Sequence, residues 1–172
     1  ERHHLEWERL TAWGEPWALA VVFGVASVPW TYGFVAGLDL PLWPAFVASA
    51  TYFAAGHGPK AFVRGYASNL VGAGYGAATL AIVDGVLGGG VLALSLVVGG
   101  FMLLASLHAA VPLLSFTPGG FLGYATLFGV HAADVTTYGI GGVGGAFVGT
   151  AVAMLMGGGI GLLADEVSSA IG

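Results

Sequence analysis

Few side chains in this sequence can do chemistry. His131 and Asp134 stand three apart near the end of an apolar stretch, close enough to share a helix face. An imidazole and a carboxylate fall short of the three or four ligands of a zinc site, so the pair reads as interfacial polarity, and no metal or other cofactor is implied. His57, Lys60 and Arg64 form a cationic group that could attract anions, although basic residues beside a membrane also fix topology. His108 follows another apolar stretch, where a snorkelling or hydrogen-bonded imidazole is expected. Asn69 is the polar residue expected deepest within apolar surroundings, and such residues tend to face a bundle interior or a cavity.

No Ser-His-Asp order, phosphate-binding glycine loop or paired carboxylates accompanies these residues, and the many GxxxG matches have a packing explanation. With no cysteine, thiolate metal sites, disulfides and cysteine nucleophiles are excluded. The sequence therefore argues against an enzyme. It also argues against a coupled ion pump, because no acid or base stands clearly at mid-membrane depth.

The elements that must position these residues are membrane helices. Hydrophobic residues make up 57% of the 172 residues and charged ones 8%, against about 25% charged in an ordinary soluble domain. The mean hydropathy is +0.89. Nine acids against four bases leave a charge of −5, with no basic patch for nucleic acid. Apolar stretches at 17–37, 42–56, 61–83, 88–110, 112–132 and 140–164 predict an all-α bundle of about six transmembrane helices, and only the second is short for a crossing. Asp39-Leu-Pro41, His57-Gly-Pro-Lys60, Asp84-Gly85, Pro112 and Asp134 to Gly139 supply the breaks. Residues 17–165 thus form the membrane domain and 166–172 a tail. Residues 1–16 carry charge together with Leu5, Trp7, Leu10 and Trp13, and read as an interfacial amphipathic helix. The sequence does not start with methionine, which suggests that the true N-terminus lies outside it.

Arg2, Arg9, Lys60 and Arg64 fall on one side after two crossings, and the positive-inside rule makes that side cytoplasmic. A multi-pass inner-membrane protein with both termini in the cytoplasm follows. Asp39, Asp84 and Asp134 are then outside, while Asp165 and Glu166 are inside.

Thirty-one glycines are the strongest feature inside the membrane. Gly141, Gly145, Gly149, Ala153, Gly157 and Gly161 place a small residue at every fourth position, and Gly65, Gly72 and Gly76 do similar work in the third stretch. Ridges of this kind let helix backbones touch in lipid, within one chain or between copies of it.

Two stretches are interrupted by Pro and Gly. The second runs from Pro41 and Pro44 to Gly58-Pro59, and the fifth contains Ser115-Phe-Thr-Pro-Gly119. Short or broken helices at corresponding places in two halves point to a solute site. Ser49, Thr51, Phe53, His57 and Asn69, with Ser115, Phe116, Thr117, Pro118 and Gly119, are the candidate lining residues. Tyr52, Phe53, Phe116 and Phe121 are candidates for a constriction. Three helices per half is an odd number, so a duplication would yield an inverted repeat. Gly65-Tyr-Ala-Ser68 and Gly123-Tyr-Ala-Thr126 are the most similar segments.

Ala50-Thr-Tyr-Phe-Ala-Ala-Gly56 with its Gly-Pro-Lys loop, and Leu113-Leu-Ser-Phe-Thr-Pro-Gly-Gly-Phe-Leu-Gly-Tyr-Ala-Thr-Leu-Phe-Gly129, resemble the two signature stretches of the YcdZ-like family of small prokaryotic inner-membrane proteins. The resemblance covers roughly residues 17–165. It implies the membrane class and, because the family is a domain of unknown function, no catalytic residues.

Two functional classes remain. One is a passive channel or facilitator for a small neutral or weakly charged solute, with hydroxyls and an apolar constriction selecting size and neutrality. The other is a structural or accessory subunit that docks other membrane subunits, or copies of itself, through its glycine ridges. The expected partners are the bilayer, a homo-oligomer or other subunits, and an unidentified solute.

Overall fold

Proline and glycine set where the helices begin and bend. The computed structural model describes residues 14–171, so residues 1–13 of the expected interfacial helix lie outside the described residues. The first helix, α1 (Gly14–Tyr32), contains Pro29, which lacks an N–H and interrupts regular α bonding. It passes into one wide π turn, Gly33–Leu38. That widening seats Phe34 in the core with Leu40, Ala45 and Ala153, and against Trp30 at a ring distance of 4.3 Å. Most of α1's other large apolar side chains, Val21, Val25 and Val28 among them, remain exposed.

Helix α2 (Trp43–Ala55) has 13 residues, about 20 Å at 1.5 Å per residue, too little to cross a hydrocarbon core of about 30 Å. Helix α3 (Gly58–Gly85) starts three residues earlier than its apolar pattern, because Pro59 suits a first helical turn. Helix α4 (Val91–Leu107) ends in two 3₁₀ turns, His108–Ala110 and Pro112–Leu114. These delay α5 to Thr117–Ala132, another short helix. The last, α6 (Gly142–Ile171), runs past Asp165 and Glu166 to Ile171.

The described residues thus form an all-α bundle of six helices. Among the described residues three segments are long and apolar enough to cross a membrane: Trp17–Leu38, Val91–Ala110 and Gly142–Ile171. Helices α2 and α5 fall short in length. Helix α3 has the length, but Lys60, Arg64 and Asn69 dilute its hydropathy. The crossing windows of α1 and α4 are almost entirely unburied, and the apolar side chains they present fit lipid.

The core forms where α2 lies along α6 and α3 lies along α5, with α3 against α6 at the centre. Both outer pairs run parallel. A Cβ added at Gly157 would lie 2.0 Å from the Ala45 carbonyl oxygen, and one at Gly161 would lie 3.0 Å from the Tyr52 ring. On the other side, a Cβ at Gly72 would lie 1.9 Å from the Gly120 carbonyl oxygen, and one at Gly76 2.6 Å from the Leu127 side chain. The two sets match with one constant offset along the long helices and another along the short ones. Exchanging α1-α2-α3 for α4-α5-α6 also preserves the main packing pairs. Since α2 parallels α6 and the tight 56–57 turn reverses the chain into α3, equivalent helices α3 and α6 are antiparallel. The bundle is therefore two inverted three-helix repeats.

This pairing differs from the one suggested by Gly65–Ser68 and Gly123–Thr126. Those segments lie on α3 and α5, which face each other across one interface. Both need small residues there, and that shared need accounts for their likeness.

Of the remaining ridge glycines, Gly65 sits against Thr51, Gly145 against the Ile140 carbonyl and Gly149 against Thr137, while Gly141 has open space around it. Pro41 also approaches Gly149, so the α1–α2 and α5–α6 connections share one end of the bundle. The α2–α3 turn, the α4–α5 connection and the end of α6 share the other.

Candidate functional site

At the second end, the short turn after α2 sets His57 beside α6. Its Nδ1 lies 3.1 Å from a carboxylate oxygen of Asp165. The Tyr52 hydroxyl donates to the same carboxylate and accepts the Gly58 N–H at 2.9 Å. Asp165 follows the apolar part of α6. With both partners in place, Asp165 can sit on a helix otherwise suited to lipid.

Beside this cluster lies an open cleft of about 690 Å³, lined by Ala55, Gly56, His57, Pro59, Lys60, Ala61, Val63, Arg64, Pro112 and Leu113. Lys60 is exposed and Arg64 half-buried. The Arg64 Nη2 donates to the Ala55 carbonyl, which ties α3 to the end of α2, while its Nε is buried without a partner.

Below the cleft, one turn further along α3, the polar residues of the interrupted helices meet. The Thr51 hydroxyl donates to the Val47 carbonyl at 2.9 Å and lies 3.2 Å from Asn69 Oδ1. Thr51, Asn69 and Ser68 are all fully buried, and the Ser68 hydroxyl has no partner. Gly119, at the start of α5, is pressed between the Phe116 ring and Ser68: a Cβ there would stand 2.9 Å from the first and 3.0 Å from the second. Phe116 also packs on the cluster of Tyr52, Ala55 and Ala61. His108 shares a 2.9 Å hydrogen bond with Tyr75 through Nδ1. Its Nε2 is buried and unpartnered, 3.9 Å from where a Cβ on Gly120 would be.

The sequence-derived candidates thus divide. Thr51, Asn69, Phe116 and Gly119 converge on the stretch of α3 around Ser68. Ser49 is buried elsewhere, donating to the Gly157 carbonyl at 2.6 Å across the α2–α6 interface. Phe53 turns toward α1, 6.2 Å from Phe23, and with Ser49 lines a second groove of about 470 Å³. Ser115 is exposed and bonds within its own turn to Pro112. Thr117 is half-buried and begins α5, Pro118 and Phe121 are exposed, and His57 belongs to the cleft. His108 is hydrogen-bonded, one of the two states expected of it, but its partner Tyr75 and the role of Ser68 escaped the sequence reading, because a lone Ser or Tyr among Gly and Ala carries no signal until a neighbouring helix covers it. His131 is half-buried and Asp134 exposed; among the described residues no group of three or more His, Cys, Asp or Glu comes together.

Residues 20–169 match the model of a family described as a protein of unknown function (DUF1097). The chain belongs to this family. The membership agrees with a domain of unknown function, while the YcdZ-like name rests on resemblance alone. No curated protein and no solved structure matches the chain. The apolar helices and the family together fit a membrane protein.

Proposed function

We propose that this protein is a passive channel or facilitator for a small neutral or weakly charged solute, acting in the inner membrane with both termini in the cytoplasm. One observation carries the reading: the short helices of the two inverted repeats, α2 and α5, both bring small or polar groups to the same buried stretch of α3, where the Ser68 hydroxyl lacks a partner. A buried hydroxyl without a partner costs about 1–3 kcal/mol, so its persistence is explained if a passing molecule satisfies it. Broken helices at corresponding places in inverted repeats are where transport proteins build solute sites.

In this scheme solute enters from the cleft, passes the Phe116 ring and exchanges its hydrating water for Ser68, Thr51 and Asn69. The apolar ring raises the barrier for hydrated ions. The scheme includes no chemical conversion and no cofactor. Stopped-flow light scattering on proteoliposomes, with a panel of small neutral solutes and empty liposomes as control, tests it. Selective acceleration for one solute supports the facilitator; no acceleration by folded protein across the panel removes it.

A second reading, a subunit that associates with copies of itself or with other membrane proteins, is favoured by glycines unused within the protomer. Gly24, Gly33 and Gly37 near α1, and Gly99 and Gly100 on α4, have open space around them. Cross-linking in native membranes tests this reading separately.

A further inference from the structure

The cleft beside the α2–α3 turn has a composition that solute passage does not require. Lys60 and Arg64 line it one helical turn apart, His57 adds an imidazole, and no carboxylate is among its lining residues. Asp165, which touches the lining through His57, is engaged by that imidazole and by Tyr52. The Arg64 guanidinium is held in place through Ala55 by Nη2, and one such bond does not exhaust the five N–H groups of a guanidinium. The cleft also lies at the N-terminus of α3, whose dipole adds positive potential. Its remaining walls are apolar, and Val63 and Leu113 are each about half exposed, at 51% and 50%.

We propose that this cleft binds a phosphate oxyanion, with Lys60 and Arg64 as its charged partners. A fixed guanidinium beside an exposed ammonium matches the distributed charge of a phosphate, and Arg is suited to more than one oxygen at once. The apolar walls suit the glycerol and upper acyl chain of an anionic phospholipid, and the cleft lies at the end of the bundle, where the headgroups of a surrounding bilayer would stand. The same charges would also hold a free phosphate, so the two sources must be separated by experiment. The inference holds whether or not a solute crosses the bundle.

The test is thermal unfolding of the purified protein in neutral detergent, with phosphatidylglycerol, phosphatidylcholine, or sodium phosphate matched to sodium chloride for ionic strength. A rise in midpoint with phosphatidylglycerol but not with phosphatidylcholine or phosphate, reduced in Lys60→Gln and lost in Lys60→Gln/Arg64→Gln, establishes a lipid headgroup site. A rise with sodium phosphate that Lys60→Gln also reduces establishes the same site for a soluble phosphate. Lys60 is exposed, so Lys60→Gln alone decides the matter if the double variant does not fold. No rise with either source of phosphate, or a rise unchanged in Lys60→Gln, overturns the proposal.

Discussion

The Tyr52 hydroxyl donates to the Asp165 carboxylate across 113 positions of sequence and accepts the Gly58 N–H on its other side. One phenol thereby ties the end of α2, the start of α3 and the last turns of α6. Tyr52→Phe leaves the Gly58 N–H and one carboxylate oxygen without that partner while keeping the ring that packs on Gly161. The expected loss is about 1–3 kcal/mol, the cost of unsatisfied groups in a largely buried setting. Unfolding by added denaturing detergent measures it.

Asp165→Asn tests the other side of the same tie. The amide can still accept from the Tyr52 hydroxyl but brings no charge to His57, so part of the tie is kept. Tyr52→Phe and Asp165→Asn touch one shared hydrogen bond, so their losses of stability should not add. A double variant whose loss equals the sum of the two single losses, measured in the same detergent titration, would contradict the tie.

These ties explain which parts of the architecture were legible in the sequence. Apolarity alone locates all six helices, since lipid tolerates little else, and the breaks fall at Pro, Gly and Asp as expected. Boundaries drift where a polar residue finds a partner. Asp165 looks like the end of a span, yet Tyr52 and His57 satisfy it and α6 continues to Ile171. Ser115 looks like a lining residue, but it completes the turn that starts at Pro112. The repeat was legible as an odd number of helices per half. The second and fifth stretches were also legible as counterparts; the residue register was not, because what the halves share is the spacing of close approaches, Gly72 and Gly76 against Gly157 and Gly161, rather than a run of identical residues. Asn69 and Thr51 were legible as buried polar groups; that they face each other depends on α2 and α3 packing side by side.

The close approaches give a graded prediction for glycine. A Cβ at Gly72 or Gly123 would stand 1.9 Å from a backbone carbonyl oxygen of the opposing helix, and only movement of α3 from α5 relieves it. Gly72→Ala and Gly123→Ala should each cost about 1–3 kcal/mol, as overpacking does in tight cores. Gly74, on the same helix, has its nearest neighbour at an ordinary 4.0 Å, the Phe147 ring. Gly74→Ala should be neutral or slightly stabilising, because alanine is the better helix former. Gly149 is intermediate: its conflict is with the Thr137 hydroxyl, which can rotate, so Gly149→Ala is tolerated while Gly149→Leu is not. Detergent denaturation of the set would show this order, and equal losses at Gly72 and Gly74 would contradict the packing argument.

Phe116 and Asn69 stand on either side of the proposed path and predict opposite changes in flux. Truncating Phe116 to alanine removes the ring between the cleft and Ser68, so permeation of the native solute should rise and discrimination by size should fall. Asn69→Leu keeps similar volume but replaces the amide that faces Thr51, so flux should drop about tenfold or more if its hydrogen bonding contributes at least ~1.4 kcal/mol to the barrier. Because Asn69 is fully buried, loss of flux through misfolding must be separated from loss of the amide. Asn69→Gln keeps the amide on a longer side chain and should retain more flux than Asn69→Leu at equal or poorer thermal stability. Flux that instead follows stability across both variants would make Asn69 a packing residue, and would leave the Phe116 result to decide whether solute passes along this face of α3.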